Sequence, residues 1–232
     1  MVFKSFSHSI LSSGLMPWTV ERKTNLLLAL FVGCLVAANL ISLKIASFGL
    51  FEASVGVLMF PILFLVTDII AEVHGKEKAK EFVYLGLVVL IVVLFITALA
   101  VILPAADRSM VSQEEYAKIF GTTLRIFVAS IFGFFVSQMH DVWAFHFWKE
   151  KTKGKFFWFR NNASTVVSQF IDTVIFMFIA FYAITPKFTV EYVFALIIPY
   201  WIIKVVFALV DTPFAYLGVK WLRQGGRAKG VS

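Results

Sequence analysis

FVYLGLVVLIVVLFITALAVIL, residues 82–103, runs without a single charged side chain. As an α-helix it is about 33 Å long at 1.5 Å per residue, enough to cross a hydrocarbon core of about 30 Å. It has no polar face, so it is not a surface helix of a soluble domain. Five further apolar stretches flank it: Asn25–Ala46, Val55–Ala71, Thr122–Trp148, Ser164–Ile184 and Tyr192–Gly218. The second is the shortest, and Pro61 is expected to kink it or to mark its outer end. The composition agrees: 60% of the 232 residues are hydrophobic and 15% charged, against about 25% charged in soluble domains. The mean hydropathy is +0.87. The predicted fold is an all-α integral membrane protein, six transmembrane helices in one bundle.

Basic residues between the spans set the orientation. Lys4, Arg22 and Lys23 precede span one; Lys76, Lys78 and Lys80 follow span two. Lys149, Lys151, Lys153, Lys155 and Arg160 follow span four, and Lys220, Arg223, Arg227 and Lys229 follow span six. Only Arg108, Lys118 and Lys187 fall in the opposite loops. The positive-inside rule therefore puts both termini in the cytoplasm. The expected organisation is a cytoplasmic tail over 1–24, a six-helix transmembrane domain over 25–218 and a cytoplasmic tail over 219–232. The N-terminal stretch lacks a signal-peptide core, so no processing is expected. The net charge of +7 resides in these short loops, which argues for topology and against nucleic acid as a partner. Trp143, Trp148, Trp158 and Trp221 cluster near the cytoplasmic boundaries as an interfacial belt would. The single cysteine, Cys34, lies within an apolar run, so disulfides are excluded and helix packing is its expected role. No His or Cys pair has metal-ligand spacing, and no glycine-rich phosphate loop is present. Neither a metal nor another cofactor is expected.

The spans nevertheless contain Lys44, Arg125 and Lys204, and Asp68, Asp141, Asp172 and Asp211, with Glu72 at the edge of span two. Each costs about 2.5–3.5 kcal/mol at a helix centre. So many imply a polar cavity or path inside the bundle. Lys44 and Arg125 lie near span ends, where snorkelling is the plain alternative. Lys204 lies near the midplane, on one face with Tyr200 and Asp211, and an ion pair with an aspartate is the structural alternative for it. Spans four and five also echo each other: Ser137-Gln138-Met139-His140-Asp141 is matched by Ser168-Gln169-Phe170-Ile171-Asp172. Small residues lead to each acid at four-residue spacing, Ala129, Gly133, Ser137 and Asp141 on one helix, Ser164, Ser168 and Asp172 on the other. Residues so spaced share a helix face, and small ones allow close approach. Measured from the span ends, Asp141 and Asp172 are expected at similar depth.

At these residues the chain resembles the queuosine precursor transporter family, also called the vitamin uptake transporter family. Phe60-Pro61 and Thr67-Asp68-x-x-x-Glu72-x-x-Gly75 resemble its second span. Arg125-x-x-x-Ala129-Ser130, Gln138-x-x-Asp141, Ala163-Ser164-Thr165 and Ser168-Gln169-x-x-Asp172-Thr173 resemble spans four and five. Asn39 and Lys44 fit its first span, Lys204 and Asp211-Thr212-Pro213 its sixth. The resemblance covers roughly residues 25–218 and implies uptake of a 7-deazaguanine base such as 7-cyano-7-deazaguanine across a bacterial inner membrane. The substrate-binding set expected under it is Gln138, Asp141, Gln169, Asp172, Lys204, Asn39, Arg125, Asp68 and Asp211. A carboxylate accepts the N1–H and exocyclic amine of a guanine-like edge side by side, and amides serve its carbonyl or ring nitrogens. The excess of acids over cations makes proton-coupled or facilitated uptake the expectation.

Three other functions compete. The chain could be the substrate-binding subunit of an energy-coupling-factor importer, with the stripe Ala29, Gly33, Ala37 docking on a scaffold. It could be an intramembrane enzyme with paired aspartates, although no motif beside either acid fits a protease. It could be a structural membrane subunit, against which the interior charges argue. A homo-oligomer is compatible with any of them.

Overall fold

The computed structural model describes residues 18–49, 51–153, 157–210 and 212–224. Seven α-helices carry the described residues: α1 (Val20–Ile41), α2 (Phe60–His74), α3 (Lys76–Ile102), α4 (Gln113–Lys151), α5 (Phe157–Phe181), α6 (Val190–Val210) and α7 (Thr212–Arg223). The local chemistry accounts for their starts. The Thr19 hydroxyl accepts from the Arg22 amide at 3.2 Å and opens α1. Ser112 and Glu115 form a reciprocal capping box that opens α4. Pro61 stands in the first turn of α2, where its missing N–H costs nothing; it marks the start of the helix and does not kink it. Gly75, at φ +89°, turns the chain from α2 directly into α3, a conformation that favours glycine.

Five of the expected spans coincide with stretches long and apolar enough to cross a membrane: Val20–Ile41, Val55–His74, Glu77–Ile102, Gln113–Ser137 and Val190–Phe207. The remaining one coincides with α5, whose apolar part among the described residues is Val166–Phe181. The chain is thus an all-α membrane protein with one small departure. After α1, Ile45–Ser47 and Glu52–Ser54 pair antiparallel, with Ala46 opposite Ala53. Gly49 in the turn has φ +85°. The hairpin then feeds a 3-10 turn, Val55–Met59. The first span, expected to run to Ala46, ends as a helix at Ile41, and Ile45 and Ala46 belong to a strand too short to carry a legible alternation. Gly56 in the 3-10 turn packs against the end of α1 so closely that a Cβ there would meet the Ala38 carbonyl at 2.9 Å. Strand Glu52–Ser54 lies on α6, where the Tyr192 hydroxyl donates to the Glu52 carboxylate.

At the other, lysine-rich end, the Lys23 ammonium donates to the Trp221 carbonyl and lies 4.7 Å from the Trp221 ring centroid. Thr24 meets His74 at 2.9 Å, and Arg223 pairs with Glu72 at 3.3 Å. Large apolar side chains of α3, among them Phe95, Ile96, Leu99 and Ile102, point away from the protein; in water that surface would be untenable, and in lipid it is solvated. The orientation inferred from the loops is open to direct measurement. Cysteines placed at Lys78 and Lys153 are expected to react with an impermeant maleimide only from the cytoplasmic side, and one at Lys187 only from outside. External labelling at Lys153 would overturn both cytoplasmic termini.

Candidate functional site

The α4 and α5 helices run antiparallel, and small residues set how close they come. At Gly133 an added Cβ would stand 3.0 Å from Asp172 Oδ1 and 3.2 Å from the Asp172 carbonyl oxygen. Asp172 therefore lies directly against the glycine of α4. Ala129, one turn away, is fully buried. The close approach that the small-residue stripe implied is realised here.

Lys204 enters this site from α6. Its ammonium donates to Asp172 Oδ2 at 2.9 Å and to Thr173 Oγ1 at 3.2 Å. The Lys204 side chain is 2% exposed and that of Asp172 26%. A lysine so deeply buried is tolerated because its charge is paired and its protons are used. The ammonium also faces two aromatic rings, 4.5 Å from the Phe60 centroid and 5.2 Å from that of Tyr200. Tyr200 stacks on Phe176 with ring centroids 6.3 Å apart and meets Phe60 edge-on at 5.8 Å. The Thr173 hydroxyl donates to the Gln169 carbonyl at 2.8 Å, which leaves its lone pairs turned to Lys204. The half-buried Gln169 stands one turn from Asp172 on the same helix.

The Asn39 side chain is buried, its amide donating to the Leu35 carbonyl at 2.9 Å. Its Oδ1 accepts from the Ser130 hydroxyl at 2.6 Å. Ser130 precedes Gly133 by three residues, so Asn39 approaches α4 within about one turn of the level of Asp172. Five elements thus converge on one polar locus: α1 through Asn39, α2 through Phe60, α4 through Ser130 and Gly133, α5 through Asp172 and Thr173, and α6 through Lys204. An acid, a cation, hydroxyls and ring faces within one membrane bundle can bind a small planar polar solute from several sides.

The other expected site residues lie elsewhere. The Arg125 guanidinium donates to the Ile179 and Tyr182 carbonyls, capping the far end of α5, where carbonyls lack helical partners and a cation is favoured. That is about 10 Å along α5 from Asp172. Asp68 is exposed on α2, about 12 Å along that helix from Phe60. The side chains of Gln138 and Asp141, and Asp211 altogether, lie outside the described residues.

The register of α4 on α5 corrects the expected depths. Gly133 faces Asp172, Arg125 reaches Ile179 and His140 Nδ1 meets the Ser168 hydroxyl at 2.9 Å. The backbone at Asp141 is therefore level with about residues 164–167 of α5, and roughly 10 Å nearer the lysine-rich end than Asp172. Depth measured from apolar span ends failed because α5 begins at Phe157, seven residues before Ser164, whereas α4 runs only three residues past Trp148. Sequence reading also did not assign Phe60, Thr173, Ser130 or Tyr200 to the site. The signal for Tyr200 was its four-residue spacing from Lys204; for Phe60 the sequence holds only its place before Pro61.

Comparison with known proteins agrees with this architecture. The chain is 32% identical over 195 residues to a "Probable queuosine precursor transporter" of Bacillus subtilis (strain 168), covering 83% of each chain. It is 23% identical over 174 residues to a "Queuosine precursor transporter" of Escherichia coli (strain K12), covering 74% of each. A "Probable queuosine precursor transporter" of Haemophilus influenzae is 26% identical over 157 residues, 66% of this chain and 64% of that one. No solved structure matches. These relatives bear transporter names and no enzyme name, and with the apolar helices they make this a multi-pass bacterial membrane transport protein rather than an enzyme. The family model described as "Putative vitamin uptake transporter" matches residues 54–218, and the chain belongs to that family.

Proposed function

We propose that this protein imports a queuosine precursor, a 7-deazaguanine such as 7-cyano-7-deazaguanine, across the bacterial inner membrane. The observation that carries this reading is the Asp172–Lys204 pair buried among helices that cross the membrane, in a chain whose relatives are named for such transport. Asp172 accepts the N1–H and amine of the base edge, Lys204 and Asn39 serve its acceptor atoms, Gln169 lies within one turn, and Tyr200 and Phe60 line its planar face. Gln138, Asp141, Asp211 and Asp68 supply the further polar groups that the family resemblance implies for the base. Arg125, occupied with the carbonyls of α5, contributes by fixing α4 on α5. The tails, 1–24 and 219–232, lie in the cytoplasm.

The rival reading, a capture subunit for an energy-coupling importer, draws on Ala29 and Gly33. Both are exposed, and Gly33 has open space beside it. Copurification with an ATPase module would favour it. Uptake of labelled 7-cyano-7-deazaguanine in cells unable to make the base tests the leading reading. Expression of this chain alone is expected to confer accumulation, and accumulation no higher than in cells with empty vector would refute it.

A further inference from the structure

We infer that the Tyr200 hydroxyl is a specificity-determining group of the site: unpaired without solute, it donates to the carbonyl of the bound base. Tyr200 follows Pro199 on α6 and is 1% exposed. It belongs to one of the two apolar clusters of the bundle, the one that α4, α5 and α6 share with the hairpin. Its ring is held by Phe176, by the edge contact with Phe60 and by the Lys204 ammonium. Its hydroxyl, by contrast, has no hydrogen-bond partner among the described residues. A phenol this deep ordinarily has one, because a buried donor left unpaired costs its full desolvation. Tyr192, about two turns earlier on the same helix, follows that rule, as its hydroxyl donates to the Glu52 carboxylate.

The hydrogens of the neighbouring groups are already committed. Ser130 gives its hydrogen to Asn39 Oδ1, and Thr173 gives its own to the Gln169 carbonyl. The Asn39 amide donates to the Leu35 carbonyl. Lys204 donates to Asp172 and Thr173 and also faces the Phe60 ring. Of the hydroxyls around the charge pair, that of Tyr200 is therefore the one, among the described residues, whose hydrogen has no acceptor. The Asp172 carboxylate lies within electrostatic range of the phenol. Together the two groups complement a base edge on which donors and an acceptor adjoin. The carboxylate takes the N1–H and the amine. The carbonyl beside N1–H needs a donor, and a hydroxyl supplies one without adding a charge. A base with hydrogen in place of that carbonyl leaves the hydroxyl unpaired and binds less well for it. The protein without solute bears the cost, a loss of stability retained for function.

This inference rests on the transport reading, and two measurements on the purified full chain in detergent keep them apart. One is Tm without solute; the other is Kd for 7-cyano-7-deazaguanine by calorimetry. Tyr200→Phe removes the hydroxyl and keeps the ring. It is expected to raise Tm by about 2–4 °C and to weaken Kd about tenfold or more. Tyr192→Phe, the same change at a paired hydroxyl, lowers Tm and leaves Kd as it was. A hydroxyl that only holds the fold cannot raise stability and lower affinity when it is removed. A Tyr200→Phe protein that melts below the native chain has lost a paired hydroxyl, and that result overturns the inference. Binding of the base by Tyr200→Phe as tight as by the native chain overturns it too, and leaves the transport reading standing. A native chain that does not bind the base refutes the substrate and the acceptor named here, while a raised Tm for Tyr200→Phe still upholds the unpaired hydroxyl.

Discussion

Asp172→Asn is expected to lower uptake per folded molecule about 10- to 150-fold, the loss of one charge-assisted hydrogen bond worth about 1.5–3 kcal/mol. Judged from the acid alone, this variant would insert into the membrane more easily than the native chain, since an amide is cheaper to bury. The Lys204 pairing reverses that expectation. With Asp172 neutral, the ammonium is left in a nearly closed site, and breaking one side of such a pair costs about 3–5 kcal/mol. The single variant therefore also loses thermal stability. Asp172→Asn combined with Lys204→Met removes both charges; stability returns and uptake does not. The two sites are in contact, so the energies do not add. Uptake normalised to folded protein, together with Tm in detergent, reads both effects. Native uptake by a well-folded Asp172→Asn protein would make the pair purely structural. The exposed Phe135 provides the control, as Phe135→Leu should change neither measurement.

Gly133→Val is the second large effect. Even the Cβ of alanine at this position stands 3.0 Å from Asp172 Oδ1, tighter than normal contact, and Lys204 holds that carboxylate from the other side. The two γ-methyls of valine must force α5 away from α4. Overpacking of this kind costs about 1–3 kcal/mol, and here the strain falls on the acid that the site uses. Gly133→Val is expected to abolish uptake and Gly133→Ala to reduce it several-fold while the protein still assembles. Gly121 lies on the same helix with nothing within 4 Å of its added Cβ. Gly121→Ala is therefore expected to preserve uptake and to stabilise α4 slightly, by about 0.5–1 kcal/mol, since alanine favours the helix. Equal uptake by the Gly133 and Gly121 variants would remove the close α4–α5 contact from the account.

Much of this was legible in the sequence, and the limits have physical causes. The span over residues 82–103 reads as a membrane helix because nothing else tolerates so long a run without a polar face. Lys204 reads as interior because no snorkelling route exists from its depth, and an aspartate is the partner its charge calls for there. Which aspartate it meets was not legible, because Asp172 and Asp211 were both within reach of that reasoning. The register of α4 on α5 was hidden for a related reason. Stripes of small residues repeated every four positions allow the helices to dock equally well after a slip of one turn, so nothing in the echo between spans four and five fixed the register seen in the contacts at Gly133 and His140. The hairpin at Ile45–Ser47 and Glu52–Ser54 is too short to show a strand period. The division of the apolar interior into two cores is a tertiary fact: both are built of the same Leu, Ile, Val and Phe, and composition does not distinguish them.

The most direct test of the central claim, that a 7-deazaguanine crosses the membrane at the Asp172–Lys204 pair, is uptake by purified protein in liposomes. The native chain should accumulate labelled 7-cyano-7-deazaguanine. Unlabelled bases that keep the N1–H and exocyclic amine should compete, adenine should not, and Asp172→Asn/Lys204→Met should be inactive although folded. Uptake by that double variant at the native rate, or competition by adenine as strong as by guanine-like bases, would contradict it.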